Sequence, residues 1–191
     1  AFLEKPQTPE EIVTDQINAG CYVFRRDVID RIPVGQVVSV ERDTFPGLLA
    51  QGHRLTGVVD DGYWLDLGTP LSFVRGSADL VLGRVDSSAV PGPTGERLVL
   101  GDARVADDAT VTGGSVVADS CVVHAGAVVE GSVLMPGVVV AAGAAVRDSV
   151  LATGARVGEK ASVSGTVVAE GAVIGAGVEL VEGARVWPGA V

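Results

Sequence analysis

The chain has few basic, aromatic and cysteine residues for its length. Its 191 residues include 14 lysines and arginines against 24 aspartates and glutamates, and the resulting net charge of −10 argues against a broad nucleic-acid-binding surface. Only Cys21 and Cys121 carry thiols, so we expect reduced cysteines and a cytoplasmic protein. No run of 18 residues is free of both charge and recurrent glycine, and we therefore expect no membrane-spanning helix.

Glycine is abundant, with 26 residues, and the second half of the chain carries a strict repeat. An aliphatic residue recurs every six positions, or every five at three steps, and a residue no larger than valine follows it four positions later. A period this strict is typical of stacked repeats. The aliphatic positions are Val105, Val111, Val117, Val123, Val129, Leu134, Val140, Val146, Leu151, Val157, Val163, Val168, Ile174, Leu180 and Val186. The small positions are Ala109, Ser115, Cys121, Ala127, Val133, Val138, Ala144, Val150, Ala155, Ala161, Val167, Ala172, Val178, Ala184 and Ala190.

The repeat predicts short parallel strands stacked into a triangular prism. Valine-rich segments interrupted by glycine disfavour helix and suit strands joined by tight turns. A longer unit of 17 residues, marked by Ser115, Ser132, Ser149 and Thr166, indicates three strands per turn and five turns. The aliphatic and small positions would fill the interior. Glycines would supply positive φ at the corners: Gly126, Gly131, Gly137, Gly143, Gly154, Gly171, Gly175, Gly177 and Gly183. This pattern resembles the hexapeptide-repeat family, which implies a left-handed parallel β-helix.

The first part of the chain predicts an α/β segment. We expect strands at residues 1–6, 17–24 and 54–59, and short helices that begin after Asp27 and Ser39. A longer helix would begin at Pro70, capped by Thr69, and end at Gly83. Residues 84–98 are rich in proline and glycine and predict a linker. The predicted domains are therefore 1–83 and 99–191, and the first looks like the second half of a larger sheet domain. We expect the chain to be a fragment.

Three short groups of polar residues stand out in the first 70 positions. They are Glu4-Lys5-Pro6, Asn18-Ala19-Gly20 and Trp64-Leu65-Asp66-Leu67-Gly68-Thr69. With a hexapeptide-repeat tail, their order and spacing resemble the sugar-phosphate nucleotidyltransferase family over the whole chain. The runs 14–24, 38–42 and 73–80 are most similar to its actinobacterial mannose-1-phosphate guanylyltransferase branch. The resemblance implies part of a Rossmann-like nucleotidyltransferase domain followed by a β-helix.

The resemblance also implies roles for five residues. Glu4 and Asn18 would bind the sugar, with the backbone of Gly20 close to it. Lys5 would hold the sugar 1-phosphate as a point charge. Asp66 would be one carboxylate ligand of a catalytic Mg²⁺. Lys5 and Asp66 would thus be the catalytic residues.

The implied reaction transfers a guanylyl group from GTP to mannose 1-phosphate, giving GDP-mannose and pyrophosphate. The sequence contains no glycine-rich phosphate loop, so the nucleotide-binding half would be supplied outside these 191 residues. We expect a homo-oligomer and neither a nucleic-acid partner nor a membrane partner.

Three alternatives stay open at the level of sequence. Another sugar 1-phosphate could be joined to UTP, ATP or dTTP, because the base-reading residues lie in the other half. A non-catalytic regulatory subunit with the same two-domain organisation is a second alternative, although the presence of Lys5 and Asp66 argues against it. A hexapeptide acyltransferase using His124 is the third, which the unbroken repeat disfavours. We expect His53 and His124 at the surface.

Overall fold

A computed structural model describes residues 7–90, 95–181 and 183–191. The chain forms two compact units, Ala1–Trp64 and Leu65–Val191. No helix within the described ranges is long and apolar enough to cross a membrane. The predicted strand at residues 1–6 lies outside the described residues. The domain limits 1–83, 84–98 and 99–191 stay a prediction.

The first unit contains short helices and a small apolar centre. A 3₁₀-helix covers Pro9–Glu11, α1 covers Arg26–Ile29, a π-helical turn covers Val40–Thr44 and α2 covers Phe45–Ala50. The Ser39 hydroxyl accepts the first-turn N–H of Arg42 at 3.1 Å, which confirms the predicted cap. Phe45 and Leu48 are the only fully buried apolar side chains among residues 7–64.

Two predicted strands and one predicted cap are wrong in the first unit. Residues 17–24 and 54–59 form no strand, because a strand requires a backbone partner and residues 7–64 contain no paired strands. Asp27 lies in the first turn of α1 instead of capping it. Its carboxylate accepts a 2.9 Å bond from the Arg25 side chain.

The helix predicted at Pro70 is present in the second unit. It is α3, Pro70–Val81, and the Thr69 hydroxyl accepts the Ser72 N–H at 3.1 Å. Proline at the first position needs no N–H partner, which suits this start. The helix ends two residues before Gly83, whose φ of +69° lies in the left-handed region.

Sixteen short strands follow within the described residues and form a parallel β-helix. The strands are β1 (Arg97–Val99), β2 (Arg104–Val105), β3 (Thr110–Thr112), β4 (Ser115–Val117), β5 (Val122–Val123), β6 (Val128–Glu130), β7 (Val133–Leu134), β8 (Val139–Val140), β9 (Ala145–Arg147), β10 (Val150–Leu151), β11 (Arg156–Val157), β12 (Ser162–Ser164), β13 (Val167–Val168), β14 (Val173–Ile174), β15 (Glu179–Leu180) and β16 (Arg185–Val186). They stack in three sheets with the orders β1-β4-β7-β10-β13-β16, β14-β11-β8-β5-β2 and β15-β12-β9-β6-β3.

The stack confirms the predicted parallel β-helix of about five turns, consistent with the left-handed form. Paired residues in adjacent turns are 17 apart through the middle, as Val116 with Val133. They are 18 apart at the first pairing of each sheet, as Arg97 with Ser115, and at the last pairing of the six-stranded sheet, Val167 with Arg185. The first strand lies partly within the segment 84–98, so residues predicted as linker already pair with the solenoid.

The interior is filled as the aliphatic period predicts. Every aliphatic position from Val111 to Ile174 is buried, and Val105, Leu180 and Val186 pack against this core while partly exposed. Val178 is 40% exposed because it precedes β15, the edge strand of its sheet. Eight of the nine predicted corner glycines have positive φ, and Gly175 does not.

Both cysteines are free, as expected. Cys21 is exposed, whereas Cys121 is buried in the β-helix core. Burial raises the pKa of the Cys121 thiol above its ordinary value.

Three of the predicted small interior positions are wrong by one residue. Val133, Val150 and Val167 are absent from the interior cluster that contains Leu134, Leu151 and Val168, although Val133 and Val150 are themselves buried, each 8% exposed. Because side chains alternate along a strand, these three valines face outward. The interior place is taken by the residue before each valine: Ser132, Ser149 and Thr166.

The buried hydroxyls form a ladder along one edge of the prism. The hydroxyl oxygens of Ser115, Ser132 and Ser149 each accept the backbone N–H of the equivalent residue in the next turn, at 3.0–3.1 Å, and the last of these donors is Thr166. The hydroxyls of the last three also donate to the carbonyl two residues earlier, at 2.6–2.9 Å. The ladder therefore gives a partner to the buried backbone N–H groups of Ser132, Ser149 and Thr166. The carbonyls of Glu130 and Arg147 also accept backbone N–H groups, from Asp148 and Gly165.

We expect Ser149→Ala to lower the free energy of unfolding by about 1 to 3 kcal/mol, because it leaves the buried Thr166 N–H without its partner. The Arg147 carbonyl still accepts the Gly165 N–H at 3.0 Å. Urea unfolding followed by circular dichroism would measure the loss. Ser162→Ala is the matched control, since Ser162 lies half-buried on the outer row of β12, and it should change stability by less than about 0.5 kcal/mol. Equal losses in the two variants would contradict the ladder's role.

Candidate functional site

The five predicted site residues fall into three groups. Glu4 and Lys5 lie outside the described residues. Asn18 and Gly20 share one turn of the first unit. Asp66 belongs to the second unit. Their roles stay a prediction, and the local geometry of the described residues follows.

The Asn18 turn is closed by its own side chain. The Asn18 Oδ1 atom accepts the Gly20 N–H at 3.1 Å, and Gly20 has a φ of +73°. A Cβ at Gly20 would meet no atom within 4 Å, so backbone conformation and not space explains the glycine. Asn18 is exposed and can reach a ligand in solvent.

A hydrogen-bonded chain fixes the orientation of the Asn18 amide. Its Nδ2 donates to the Tyr22 hydroxyl, which in turn donates to Glu41 Oε1 at 2.8 Å. The Ser39 hydroxyl donates to the other Glu41 oxygen at 3.2 Å. With the nitrogen directed to Tyr22 and the oxygen to Gly20, the amide has one orientation.

Aromatic packing holds the middle of this chain. The Tyr22 ring meets the Phe45 ring edge-on at a centroid distance of 5.1 Å, and Phe24 lies 5.8 Å from Tyr22. Phe45 is buried as the first residue of α2. The apolar centre of the first unit thus positions a tyrosine hydroxyl beside Asn18.

The sequence analysis assigned no role to Tyr22 and Glu41. They are 19 residues apart, and no local period indicates that they meet. The bond from Tyr22 is the largest cause that lowers the pKa of Glu41, and bonds from its own backbone and from Ser39 act in the same direction. The carboxylate form is therefore the favoured partner of the tyrosine.

Asp66 lies exposed between two leucines that pack on α3. A Cβ added to Gly76 of α3 would lie 2.8 Å from Leu67 Cδ2 and 3.3 Å from Leu65 Cδ2, so both leucines cover Gly76. Leu65 and Leu67 share the side of the segment that packs on α3, so Asp66 between them faces away from α3. Its Oδ1 accepts the Gly68 N–H at 3.1 Å.

The Asp66 carboxylate can serve as one ligand of a divalent cation. Asp66 offers carboxylate oxygens, the ligand type that Mg²⁺ prefers. Across the described ranges, no three His, Cys, Asp or Glu side chains group closely enough to hold a metal ion. Any further ligands would come from phosphate, water or another segment.

The two histidines lie at the surface, as expected. His124 is exposed on the β-helix. His53 is exposed, and its Nε2 lies 2.8 Å from the Arg31 guanidinium.

A segment of short helices with exposed polar groups, followed by a hexapeptide-type β-helix, defines a class of two-part proteins. Residues 94–190 match the family model described as GMPPB C-terminal domain, and residues 1–81 match the model described as nucleotidyl transferase. The chain belongs to this family of nucleotidyl transferases with a GMPPB C-terminal domain.

Several curated relatives carry one activity in their names. The chain is 58% identical over 118 residues to the mannose-1-phosphate guanylyltransferase of Mycobacterium tuberculosis, covering 61% of this chain and 32% of the relative. It is 41% identical over 75 residues to the mannose-1-phosphate guanylyltransferase catalytic subunit beta of Drosophila melanogaster, covering 39% of this chain and 19% of that protein. The chain therefore spans a third or less of these relatives.

One similar solved structure is the acetyltransferase domain of PglB from Neisseria gonorrhoeae FA1090 in complex with acetyl coenzyme A. The two chains are 21% identical with a TM-score of 0.35, and the match covers 67% of this chain and 80% of that one. A similarity at this level carries no argument about function.

We expect Tyr22→Phe to raise the pKa of Glu41 toward its ordinary value, because the variant removes the strongest bond to the carboxylate. A carbon-detected NMR titration of the glutamate carboxyl groups would measure the shift. Since the folded pKa is lowered, the stability that the group contributes is present above its unfolded pKa and is lost as pH falls through the folded pKa.

Tyr63→Phe is the matched control, because Tyr63 is the second of the chain's two tyrosines. It should leave the Glu41 titration unchanged. An unaltered titration in Tyr22→Phe would contradict the bonded chain.

Proposed function

We propose that this chain supplies the sugar-phosphate side of a mannose-1-phosphate guanylyltransferase. The reaction joins GTP and mannose 1-phosphate to give GDP-mannose and pyrophosphate. The observation that carries the proposal is the 58% identity over 118 residues to a mycobacterial enzyme of that name. The nucleotidyl transferase match over residues 1–81 supports the same reaction class.

The proposed sugar-phosphate site uses four residues of the first unit. Lys5 holds the 1-phosphate by charge, and Glu4 accepts hydrogen bonds from sugar hydroxyls. The Asn18 amide bonds the sugar in the orientation that Tyr22 sets, and the bare backbone at Gly20 allows close approach. Such contacts orient the attacking phosphate oxygen.

The chemical step is an in-line displacement at phosphorus. An oxygen of the sugar 1-phosphate forms a bond to the α-phosphorus of GTP, the bond from that phosphorus to the β-phosphate oxygen breaks, and pyrophosphate leaves with the electron pair. No covalent intermediate with the protein is needed. Positioning by Lys5 and Asn18 contributes by holding the nucleophile in line.

Asp66 is the proposed carboxylate ligand of Mg²⁺. When bound, the cation would neutralise charge on the phosphates of GTP. The exposed position of Asp66 and its oxygen donors support this role. The Gly68 N–H bond limits the rotation of the carboxylate and so prepares it for a ligand.

A nucleotide-binding half would complete the first unit. Several apolar side chains of this unit are largely exposed, including Ile17 at 66%, Val23 at 100% and Val58 at 89%. The mycobacterial relative is about three times the length of the matched portion. Burying such side chains against a second half would stabilise a domain whose own core is small.

We further propose a cytoplasmic homo-oligomer. The free Cys21 and Cys121 suit a reducing compartment, and closed symmetric assembly is common among soluble proteins. Relatives of this chain carry the guanylyltransferase name in bacteria, insects and fungi, which favours mannose 1-phosphate and GTP over the other sugar and nucleotide pairs.

We expect Asp66→Asn, in the full-length protein, to lower Mg²⁺-dependent pyrophosphate release from GTP and mannose 1-phosphate by about 10²- to 10³-fold, through lost electrostatic stabilisation. Release would be measured with crossed nucleoside triphosphates and with mannose, glucose and N-acetylglucosamine 1-phosphates. Asparagine can still accept the Gly68 N–H, so the local turn is kept.

Asp60→Asn is the matched control, because Asp60 Oδ1 accepts the Gly62 N–H at 2.8 Å in an equivalent turn. It should retain activity within about twofold, as an exposed substitution away from the site. Full activity of Asp66→Asn would overturn the metal role. No turnover by the wild type with any substrate pair would instead favour a regulatory subunit.

We expect Asn18→Ala to raise the KM for mannose 1-phosphate about tenfold, near the contribution of one hydrogen bond, with kcat little changed. Steady-state kinetics of pyrophosphate release would separate the two constants. Gln16→Ala removes an exposed amide two residues earlier and should leave both constants unchanged. Equal KM values for Asn18→Ala and the wild type would remove Asn18 from the sugar site.

A further inference from the structure

Helix α3 is packed on two sides within the second unit. Gly76 and Ala78 are two positions apart, which places them about 200° apart around the helix axis. Gly76 lies under Leu65 and Leu67. Ala78 lies against Gly114 of the β-helix, where an added Cβ would approach the Ala78 Cα to 2.7 Å and its carbonyl oxygen to 2.8 Å.

The β-helix side of this packing is extensive. Val74, Ala78 and Val81 recur at helical spacing on one face, and Val74 and Val81 are 5% and 1% exposed. The helix packs on β4, the second strand of the six-stranded sheet. Gly114 immediately precedes β4, and its N–H donates to the Glu96 carbonyl at 2.9 Å.

A buried carboxylate paired with two largely exposed arginines lies near the end of the same helix. Asp79 is 4% exposed and accepts a 2.8 Å bond from the Arg84 guanidinium, while Arg75 Nε lies 3.8 Å from its other oxygen. The Arg84 N–H also donates to the Asp79 carbonyl at 2.9 Å. These bonds hold the C-terminal end of α3 to the segment that follows it.

We infer that the first turn of the β-helix positions the Asp66 carboxylate through α3. Contacts run from Gly114 to Ala78, through the helix to Gly76, and from Gly76 to the leucines on either side of Asp66. The inference rests on the proposed metal role of Asp66. It assigns the β-helix a part in forming the metal site, with Gly114 and Gly76 as positioning residues.

The test measures Mn²⁺ binding to the full-length protein, from the electron paramagnetic resonance signal of free Mn²⁺. Gly114→Ala should raise the Mn²⁺ dissociation constant about tenfold, as expected for a change that disturbs the support of a ligand. The KM for mannose 1-phosphate should change by less than about twofold, because a shifted carboxylate affects the metal and not the sugar contacts.

Gly154→Ala is the matched control for backbone strain. Gly154 has a φ of +70° against +77° for Gly114, but a Cβ at Gly154 would meet no atom within 4 Å. Both substitutions therefore strain a left-handed corner, and only Gly114→Ala pushes on α3. Wild-type Mn²⁺ affinity in Gly154→Ala is the expected result.

Gly76→Ala tests the other side of the helix and decides the matter if Gly114→Ala does not fold. Alanine forms helix better than glycine, so circular dichroism should show α3 retained, while the new Cβ displaces Leu67 and weakens Mn²⁺ binding. Wild-type affinity in every one of the two variants that folds, or equal weakening in Gly154→Ala, would overturn the inference.

The wild type separates this inference from the proposed function. Mg²⁺-dependent turnover by the wild type with unaltered Mn²⁺ binding in the two variants would overturn the inference alone. A wild-type protein without turnover or Mn²⁺ binding would overturn the proposed function, and with it the inference.

Discussion

The stacking of one turn on the next is the interaction on which the second unit depends. Each strand pairs in parallel with strands 17 or 18 residues away, so every backbone bond of the sheets is made between turns. The aliphatic column inside the prism is continuous from Val111 to Ile174. Because a single turn has too little interior to be stable alone, each turn requires its neighbours.

One edge of the prism adds a polar constraint to this stacking. The buried hydroxyls of Ser115, Ser132 and Ser149 accept N–H groups of the following turns, so the 17-residue spacing depends on hydrogen-bond geometry as well as on packing. A rigid stack of this kind offers a firm surface. Helix α3 packs on its first turns, and the leucines beside Asp66 pack on α3.

The first unit depends on a small apolar centre and on the hydrogen-bonded chain that this centre supports. Its apolar centre is small, and the ring of Tyr22 lies against the buried Phe45 while its hydroxyl connects Asn18 to Glu41. Aromatic packing fixes the Tyr22 ring, and the Tyr22 hydroxyl then holds the exposed Asn18 amide in one orientation. The many exposed apolar side chains around it are consistent with a unit that is completed by further chain.

The sequence by itself determined the β-helix, its 17-residue turn, the start of α3 at Pro70 and the cap at Ser39, because each follows from local spacing or from a side chain bonding its own neighbours. Tertiary structure decided the rest. The step from Val129 to Leu134 is five residues, so the shorter corner before β7 is visible in the sequence. Only the fold decided that Ser132, and not Val133, takes the interior place at this corner. The hydrogen bond from Tyr22 to Glu41 joins residues 19 positions apart. The contact of Ala78 in α3 with Gly114 joins residues 36 positions apart. Contacts at such separations depend on how elements pack, and no short-range pattern encodes them.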